Sequence, residues 1–570
     1  MTRAALALVV LVAAVATMDD STALTDIRVD QVGYTSSAPK VAMVVNVGAT
    51  GAFSVVRASD MTPVSTGALG PPKRDADSGD LVRVADFSGL TADGTYYLDV
   101  AGVGRSYPFI VGRDVYHRAY YLAARSYYGQ RCGTAVDLGP EFPGYKHDAC
   151  HLNGAYHPSS GKSGPHPSAG GWHDAGDYGR YVVNSGIATS TLLLAYQHFA
   201  RRVQRVSLDI PESKNTTPDL LDEARWNLDW MLSMQDIDGG VWPKQTSEAF
   251  PGFVKPEDDK SVSYVIGTGH EPFKSTCATA DLAATAAIAS RLFREFDPAY
   301  ADRTLAAAKS AYEWADRNPK EIFKNPPGVS TGEYGDADCS DERFWAAAEL
   351  WNTTGLAVYD RYVTTHYDEF LPALRPVGPQ GWGSVAPLGL WSYALGVGGK
   401  TPVVNAIKEA TFAAADAIVE RTASDGYRVS LAWKDYVWGS NAVAANYAME
   451  LLLADRMRHD PRYVDAALDN LHYLLGRNGL GLSFVTQVGA NAVRNPHHRP
   501  SAADSNVLPW PGLLSGGPNA HRQDPAMRKL PELPPAKMFL DEQASYATNE
   551  VAINWNAPLV FVLASTLPEK

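Results

Sequence analysis

The chain has 570 residues and a formal net charge of -13, with 63 acidic against 50 basic side chains. This length is enough for more than one domain with a large core. The acidic balance without a basic stripe argues against nucleic acid as a partner. The 13 Trp and 28 Tyr residues suit a protein that stacks sugar rings, although ordinary core packing accounts for most of them.

The N-terminus has the pattern of an export signal. Arg3 supplies a positive charge, and Ala4 to Ala16 is an apolar run too short to span a membrane comfortably. We predict a signal peptide over residues 1–23, with cleavage after Ala16 or Ala23. No other stretch is long and apolar enough for a transmembrane helix, so we expect a secreted protein without a membrane partner.

Residues 24–112 are predicted to form a small β domain. Short runs of β-type residues are separated by Gly, Pro, Asp and Ser clusters, which is typical of a sandwich. The runs are Ile27–Gln31, Lys40–Asn46, Phe53–Arg57, Leu81–Ala85 and Thr95–Val100. No Cys lies in this segment, so packing alone must hold it together.

Residues 113–567 are predicted to form one all-α domain, because long apolar-periodic runs rich in Ala and Leu follow one another. The runs are Val115–Gln130, Arg180–Val203, Leu220–Gln235, Ala278–Phe296, Leu305–Arg317, Asp341–Val363, Val403–Arg421, Asn441–Arg458, Val464–Leu475 and Tyr546–Leu563. Ten to twelve paired helices can close into an α/α barrel whose loops at one end build a cleft.

Two separated carboxylate sites stand out in the helical part. Asp174 and Asp177 are three residues apart, so on one helical turn or in a tight loop they can face one site, and Gly176 would let the backbone bend there. Glu550 lies among aromatic and apolar residues, whose company raises the pKa of a carboxyl toward that of a general acid. Such a pair of sites is the minimal machinery of glycosidic hydrolysis. The alternatives are an N-cap role for the aspartates and a solvated helix face for Glu550.

Three motifs in order resemble glycoside hydrolase family 9, the inverting cellulases and related β-glucanases. They are the Asp174-Ala-Gly-Asp177 element, the His497-His-Arg499 element and the Glu550 segment. The start Ile27-Arg-Val-Asp-Gln-Val-Gly-Tyr34 resembles the immunoglobulin-like domain that precedes the catalytic domain in one branch of that family. The resemblance implies an immunoglobulin-like β-sandwich followed by an (α/α)6 barrel.

The resemblance also implies roles for the three carboxylates. Asp177 corresponds to the general base that takes a proton from the attacking water, and Asp174 to the carboxylate that helps hold that water. Glu550 corresponds to the general acid that protonates the leaving oxygen. An inverting mechanism needs room for a water between base and acid, roughly 6.5–9.5 Å.

The histidine motif is expected to contribute to the same site. By resemblance, His497 and Arg499 line the subsite of the sugar to be cleaved, and an Arg fork suits fixed hydroxyl acceptors. His497 is also placed with the catalytic set. Asp541 matches the family pattern and is placed there too, where it could orient Arg499 or the Glu550 loop. The alternative for the His pair is a metal-binding or merely exposed position on a Pro-rich loop.

Three aromatic residues are candidate platforms for glucose rings. Trp438 lies in the family-like run Tyr436-Val-Trp-Gly-Ser-Asn441, and Tyr546 and Trp555 flank Glu550. Core packing is the alternative for each of them.

Two metal sites are expected. Cys132, Cys150, His151 and His173 supply a full tetrahedral zinc shell, although a Cys132–Cys150 disulfide is the alternative in an exported protein. The resemblance favours structural zinc, because that family branch commonly carries a Cys2His2 site there. It also implies calcium, for which the acidic loop Gly335–Glu342 is the best local candidate.

Within that loop Asp341 and Glu342 match the family's calcium ligands most nearly, while Asp336 and Asp338 are looser candidates. Hard oxygen ligands of this kind suit Ca²⁺. The alternative is an N-cap cluster that opens a helix at Arg343.

The sequence therefore predicts a secreted inverting β-1,4-glucanase, an endoglucanase acting as a monomer on cellulose or a related β-glucan without an organic cofactor. The nearest alternative is an exo-acting member that releases glucose, cellobiose or glucosamine, with Thr246–Thr276 or Ser501–Met538 closing the cleft. A non-catalytic sugar-binding protein and a structural or adhesion role of the β domain are the alternatives from other classes.

Overall fold

The computed structural model describes residues 26–45 and 51–569. The predicted signal peptide, residues 1–23, lies outside the described residues. Within the described part, no helix is both long enough and apolar enough to cross a membrane.

The N-terminal domain is built from two facing sheets. One sheet has the strand order β1-β3-β7-β6, and the other has the order β2-β10-β8-β4-β5 with β9 beside β8. Its strands are β1 Ile27–Arg28, β2 Gly33–Tyr34, β3 Val41–Val44, β4 Ala52–Arg57, β5 Thr62–Ala68, β6 Lys73–Arg74, β7 Leu81–Asp86, β8 Gly94–Val100, β9 Gly104–Arg105 and β10 Phe109–Val111. All five predicted β-runs contain strands, and the two sheets enclose an apolar core.

Strand β5 is not predicted by the sequence analysis, and the reason is physical. It lies at the edge of its sheet, paired on one side with β4. Its residues are mostly exposed, and Pro63 and Gly67 interrupt any apolar alternation. Edge strands of this kind carry little of the period-2 signal on which the prediction relied.

The second domain is helical, with fourteen α-helices in the described part of the chain. They are α1 His117–Gly129, α2 Val182–Val203, α3 Asp219–Ser233, α4 Thr276–Phe293, α5 Pro298–Arg317, α6 Ser340–Thr354, α7 Ala357–Phe370, α8 Ala386–Leu395, α9 Thr401–Ser424, α10 Ser440–Met457, α11 Pro461–Leu474, α12 Arg499–Ala503, α13 Tyr546–Asn549 and α14 Ile553–Thr566. Twelve of them are long, and α12 and α13 span about one turn each.

Three predicted helical runs need correction. The run Asp341–Val363 is two helices, because Gly355 adopts a left-handed conformation (φ 66°) and ends α6. The run Tyr546–Leu563 is broken at Glu550, whose extended backbone separates α13 from α14. The run Arg180–Val203 opens with two strand residues before α2 begins.

Helix α8 was missing from the predicted runs. It has only ten residues and carries Pro387 and Gly389 in its first turns, which weakens the helical pattern. Gly389 is required by packing, since a Cβ there would lie 2.9 Å from the Cα of Trp345. Close packing against α6 therefore requires glycine at position 389. That glycine weakens the helical pattern by which α8 could have been predicted from the sequence.

Six helices, α2, α4, α6, α8, α10 and α14, are buried along most of their length. They pack in the series α14–α2–α4–α6–α8, and α10 packs on α14. The amphipathic helices α3, α5, α7, α9 and α11 lie outside them, each against a buried neighbour, and α1 lies against α14. A helix that is apolar all round belongs in a core, and the Ala-rich face of α4 allows the close approach.

The loops of the helical domain carry six short strands. They are β11 Val136–Asp137, β12 Lys146–His147, β13 Gly154–Tyr156, β14 Arg180–Tyr181, β15 Lys244–Thr246 and β16 Ser263–Ile266. The last four form one sheet in the order β13-β16-β15-β14. This sheet joins the turn that holds Asp177 to the long segment that follows α3.

A buried polar contact joins the two domains. Asp30 is fully buried, and its Oδ1 accepts hydrogen bonds from the backbone amides of Val32 and Gly33. Its Oδ2 lies 2.8 Å from Nδ1 of His472 and 3.0 Å from the Tyr116 hydroxyl, both in the helical domain. A buried carboxylate whose two oxygens both have hydrogen-bond partners fixes the mutual orientation of the groups around it.

We expect Asp30→Ala to lower the free energy of unfolding by about 3–5 kcal/mol, because it leaves buried donors without a partner. Urea unfolding measures this. Ser36→Ala, which removes an exposed hydrogen bond to Asp93, is the matched control and should change stability by less than about 0.5 kcal/mol. Equal effects of the two substitutions would contradict the role given to Asp30.

Candidate active site

A cleft of about 890 Å³ opens in the helical domain, and it gathers most of the predicted site residues. The predicted residues that line it are Asp174, Asp177, Trp438, His497, Arg499, Tyr546, Glu550 and Trp555. Many of them lie just before the N-terminus of a buried helix: the aspartates before α2, Trp438 before α10 and Glu550 before α14. The buried helices thus present the same end to the cleft.

Asp174 is held rigidly at the floor of the cleft. Its Oδ1 accepts from Nδ2 of Asn184 at 2.7 Å, and its Oδ2 accepts from the Tyr334 hydroxyl at 2.5 Å. Its carbonyl oxygen accepts from the amide of Ile553, the first residue of α14. Burial, followed by the neighbouring Asp177 carboxylate, raises the pKa of Asp174.

Asp177 has one oxygen engaged and one available. Its Oδ2 accepts from the Gly179 amide at 2.9 Å and from the Tyr181 hydroxyl at 3.3 Å. Both hydrogen bonds from described residues end on Oδ2, which leaves Oδ1 to accept from a water in the cleft. The two donors fix the orientation of the carboxylate, as a general base requires.

Glu550 has the environment of a proton donor. Desolvation raises the pKa of its carboxyl well above the usual range, and the negative charges of Asp177 and Asp174 raise it further. Arg499 and a backbone hydrogen bond from Gly176 act in the opposite direction. A carboxyl that stays protonated at neutral pH can serve as a general acid.

Gly176 brings the aspartate turn against the loop of His497. A Cβ on Gly176 would lie 1.9 Å from the carbonyl oxygen of His497, so only glycine fits. The Gly176 carbonyl accepts from the Arg499 amide at 3.1 Å and from its Nη1 at 2.7 Å. Sequence reasoning assigned Arg499 to substrate hydroxyls, and the structure adds this bracing contact.

His497 is oriented by the segment before α13. Its Nδ1 lies 2.6 Å from the carbonyl oxygen of Gln543, which fixes the tautomer with Nδ1–H as donor. Its amide donates to the Asn549 carbonyl, and the two segments pair as a short bridge between His497 and Glu550. The remaining nitrogen, Nε2, is then an acceptor on the ring that lines the cleft.

The placement of Asp541 with the catalytic set is corrected by its contacts. Asp541 does not line the cleft. Its carboxylate accepts from the amides of Arg494 and Asn495, each at 2.8 Å, and from Nδ2 of Asn549 at 3.0 Å. Through these hydrogen bonds Asp541 orients the loops of His497 and Glu550. Of the two roles expected for Asp541, this agrees with orientation of the Glu550 loop.

Aromatic rings form two walls of the cleft. Trp438 and Tyr546 have ring centroids 5.4 Å apart, and Trp382 and Tyr334 have centroids 5.2 Å apart. The side chains of Tyr334, Trp382 and Phe250 were missed by sequence reasoning, because each lies in an irregular loop. For Tyr334 and Trp382 the one sequence signal is an aromatic residue shortly before a helix start, which is too common to single them out, and Phe250 lacks even that signal.

The four predicted zinc ligands come together. One ligand atom from each of Cys132, Cys150, His151 and His173 lies within 4.8 Å of the others, and all four residues are buried. The Cys132 Sγ–His151 Nδ1 distance is 3.8 Å, and the Cys150 Sγ–His173 Nε2 distance is 3.7 Å. Both thiols are free, so the alternative Cys132–Cys150 disulfide is excluded, and the disulfide is Cys277–Cys339. This buried cluster could bind a metal ion.

The acidic loop forms a second cluster with a residue that sequence reasoning missed. Glu342 and Asp281, which lies on α4, are buried, and none of their four carboxylate oxygens has a hydrogen-bond partner. Burial and their negative neighbours, including Asp341 and Asp336, raise the pKa of both. Asp341 Oδ2 accepts from the Val385 amide at 2.8 Å. The helix begins at Ser340, three residues before Arg343.

Two protein-family models and several known proteins match this chain. The model of glycosyl hydrolase family 9 matches residues 116–563, and the cellulase N-terminal ig-like domain matches residues 22–105. Endoglucanase D of Acetivibrio thermocellus is 39% identical over 94% of this chain and 83% of its own length. The cellodextrinase of Butyrivibrio fibrisolvens is 36% identical over 95% of this chain and 99% of its own length.

The fold comparison agrees with the sequence comparison. The crystal structure of a Zn-binding triple mutant of the GH family 9 endoglucanase J30 superposes with a TM-score of 0.87. It is 36% identical, and the match covers 94% of this chain and 100% of that one.

We expect the purified protein to carry about one equivalent of a thiolate-bound divalent metal, and Cys150→Ser to lose that metal together with stability. Elemental analysis and urea unfolding measure the two effects. His147→Asn is the matched control, because His147 is buried beside His173 yet contributes no ligand atom to the cluster. Retention of the metal by Cys150→Ser would contradict the assignment.

Proposed function

The chain belongs to glycosyl hydrolase family 9, and from this premise we propose that it is a secreted, inverting endo-β-1,4-glucanase acting on cellulose or a related β-glucan. The observation that carries the proposal is the arrangement of Asp174, Asp177 and Glu550 around one aromatic-lined cleft. Relatives named endoglucanase D and cellodextrinase align along nearly the whole chain.

In the proposed reaction Asp177 is the general base. With Oδ2 held by the Gly179 amide and the Tyr181 hydroxyl, its Oδ1 takes a proton from a water that attacks the anomeric carbon. Asp174 helps to hold that water, and Asn184 and Tyr334 fix its carboxylate. Attack from the face opposite the leaving group inverts the configuration.

Glu550 is the general acid of the proposed reaction. Its raised pKa keeps it protonated, so that it can give its proton to the departing glycosidic oxygen. His497 and Arg499 bind hydroxyls of the sugar to be cleaved, while Trp438 and Tyr546 stack glucose rings along the cleft. No step requires an organic cofactor.

We also propose the finer architecture. The helices α2, α4, α6, α8, α10 and α14 form the inner ring of an (α/α)6 barrel over residues 113–567, preceded by the immunoglobulin-like domain over residues 24–112. The packing series of buried helices supports this arrangement. Export is supported by the apolar run from Ala4 to Ala16 and by the Cys277–Cys339 disulfide. The protein acts as a monomer.

We propose structural zinc for the Cys/His cluster. Around a tetrahedral Zn²⁺ a sulfur and a nitrogen ligand are roughly 3.6 Å apart, close to the 3.7 and 3.8 Å between the thiol and imidazole pairs here. His151 is braced by Asp259 at 3.1 Å, in the manner of an outer-shell carboxylate. The zinc would hold His173 and the turn that follows it, and would take no part in the reaction.

We propose calcium for the acidic cluster, held by Asp341 and Glu342 and adjoined by Asp281. The four unpaired carboxylate oxygens of Glu342 and Asp281 are the observation that fits a hard cation. A bound calcium ion would stabilise the start of α6 and the preceding loop that carries Tyr334.

The exo-acting alternative keeps one observation in its favour. Of the two predicted closing loops, Thr246–Thr276 reaches the cleft through Phe250, and Arg499 Nε donates to its Pro251 carbonyl at 3.1 Å. No residue of Ser501–Met538 lines the cleft. A loop that closed one end of the cleft would limit the enzyme to chain ends.

We expect the wild type to hydrolyse cellopentaose with an initial α-anomeric product, and Glu550→Gln to lose about 10²–10⁴-fold in turnover. Proton NMR of the reaction measures both. Glu542→Gln, an exposed glutamate in the same segment, is the control and should retain full turnover. Internal cuts support endo action, whereas a single end product supports the exo alternative.

Three outcomes of that experiment would overturn the proposal. A β-anomeric product contradicts inversion, and full turnover by Glu550→Gln contradicts the acid role. Binding of cellopentaose by the wild type without any turnover supports the non-catalytic alternative. The raised pKa of Glu550 further predicts that kcat/KM is retained through neutral pH and falls only as Glu550 deprotonates at higher pH.

We expect Ca²⁺ to stabilise the protein, by about 2.7 kcal/mol at a hundredfold excess over its Kd. Because Glu342 and Asp281 have raised pKa values, calcium binding must release protons, and the affinity should fall as the pH is lowered. Urea unfolding with and without Ca²⁺ measures this. Glu342→Gln should abolish the response, and Glu369→Gln, exposed on α7, should keep it.

A further inference from the structure

Lys244 lies behind the aspartate turn, and the reaction proposed above gives it no role. It is the first residue of β15, only 1% exposed, and it pairs across the sheet with Tyr181 of β14. It does not line the cleft. A fully buried lysine is rare unless a specific interaction requires it.

The Lys244 ammonium is saturated by neutral acceptors. Its Nζ donates to Oδ1 of Asn325 at 2.6 Å, to Oγ1 of Thr331 at 3.0 Å and to the Gly332 carbonyl at 2.8 Å. A fourth, longer contact of 3.4 Å joins Nζ to the Thr331 carbonyl oxygen, and none of the four acceptors is a carboxylate. A buried cation without an ion pair is costly, and the field of the surrounding charges offsets part of that cost.

That field comes from the active site. Burial lowers the pKa of Lys244 to about 7, and the negative charges of Asp177 and Glu333 oppose this shift. The Lys244 ammonium and the Asp177 carboxylate therefore attract each other. Lys244 thus supplies positive charge behind a site that holds three carboxyl groups.

A series of contacts links the ammonium to the proposed base. The Lys244 Nζ donates to the Gly332 carbonyl, Gly332 packs against the Tyr181 ring, and the Tyr181 hydroxyl donates to Oδ2 of Asp177 at 3.3 Å. Gly332 is fitted closely to this contact, since a Cβ there would lie 3.2 Å from the Tyr181 hydroxyl oxygen.

The same anchor also places the partner of Asp174. The residues held by Nζ, Thr331 and Gly332, lie two or three positions before Tyr334, whose hydroxyl donates to Oδ2 of Asp174. Tyr334 has a left-handed backbone (φ 47°), a conformation that side chains rarely adopt and that must be held by its surroundings. One buried ammonium therefore fixes the segment from which Tyr334 reaches the site.

We propose that Lys244 is a positioning residue for the reaction, which holds the segment from Thr331 to Tyr334 and thereby fixes Tyr181 and Tyr334 on the two aspartates. This inference rests on the proposed function. In the proposed reaction Lys244 contacts neither the substrate nor the attacking water. It acts through Tyr181 and the segment from Thr331 to Tyr334.

The charged groups that face Asp177 are of both signs. Asp174, Glu550 and Lys244 interact with it electrostatically, and so does His497 from the facing loop. Arg499 lies on the same loop and interacts with Glu550. Removal of Lys244 shifts this balance toward negative charge, which makes the ionised base less favourable.

We expect Lys244→Met to lower kcat roughly 10–100-fold with a smaller change in KM, because the Lys244 side chain itself does not line the cleft. The acid limb of the pH profile of kcat/KM should move to higher pH by roughly 0.5–1 unit, as expected for loss of a nearby positive charge. Steady-state kinetics on cellopentaose from pH 4 to 9 measure both.

Two further variants separate positioning from charge. Thr331→Val removes one acceptor and keeps the ammonium, so we expect a smaller loss of kcat and an unshifted acid limb. Tyr181→Phe interrupts the series of contacts to Asp177 with little change in volume, so we expect both a loss of kcat and an upward shift. Tyr181→Phe also tests the inference if Lys244→Met does not fold.

Lys274→Met is the matched control. Lys274 is also buried, but its Nζ is paired with Asp236 at 2.7 Å and lies over Trp242, away from the cleft. We expect Lys274→Met to lower the free energy of unfolding, while its kcat and the acid limb of its pH profile of kcat/KM stay those of the wild type. An unshifted profile in folded Lys244→Met, or an equal shift in Lys274→Met, would overturn the inference.

The outcome also distinguishes this inference from the proposed function. If the wild type leaves cellopentaose uncut, or if Glu550→Gln cuts it normally, the proposed function fails first. If the wild type depends on Glu550 while Lys244→Met and Tyr181→Phe behave as wild type, only the role of Lys244 fails.

Discussion

The close approach of Gly176 to the carbonyl oxygen of His497 is the contact on which the site depends. A side chain at position 176 would overlap that oxygen, so the aspartate turn and the histidine loop can meet only through glycine. The Gly176 carbonyl then accepts twice from Arg499, and the Asp174 carbonyl accepts from the Ile553 amide. Carboxyl groups almost four hundred residues apart in the chain thereby share one cleft.

Within the shared cleft the carboxyl groups differ in their surroundings. Burial raises the pKa of Glu550 well above its usual range, and the negative charges of Asp177 and Asp174 raise it further, whereas Asp177 receives two donors on one oxygen. A proton donor therefore faces a carboxyl group whose other oxygen accepts no hydrogen bond from the described residues. The N-terminal ends of buried helices and the Lys244 ammonium supply positive potential on the side of the base.

The sequence was sufficient where local chemistry carried the signal. The Gly-rich turn with Asp174 and Asp177, the Glu550 segment and the Cys/His set could be named because each residue type is unusual in its setting. Tyr334, Lys244 and Asp281 could not, since a tyrosine in a loop, a lysine on a strand and an aspartate in a helix are ordinary in sequence. Their importance comes from contacts with residues far away in the chain.

The same distinction explains the errors in the fold. The helical run Asp341–Val363 was predicted as continuous because its apolar period survives the left-handed turn at Gly355. Strand β5 is absent from the prediction because an exposed edge has no apolar face. The prediction places Asp541 with the catalytic set because it matches the family pattern, whereas its carboxylate accepts from backbone amides of another loop. Periodicity reports which face is buried and carries no information about these long-range partners.

The β domain is part of the structure that shapes the site. Gln31 donates from its amide to the Leu475 carbonyl and from Nε2 to the Gly481 carbonyl, and its Oε1 accepts from the Asn491 amide. The segment from Leu475 to Asn491 leads directly to the loop of His497, and Ser483 within it bonds to Val493. Because the N-terminal domain holds this segment at three points, the position of His497 relative to Gly176 depends on the domain as well as on the helices. The β domain thus acts as a buttress for one wall of the cleft, and the contact between the domains belongs to the same network as the contact at Gly176.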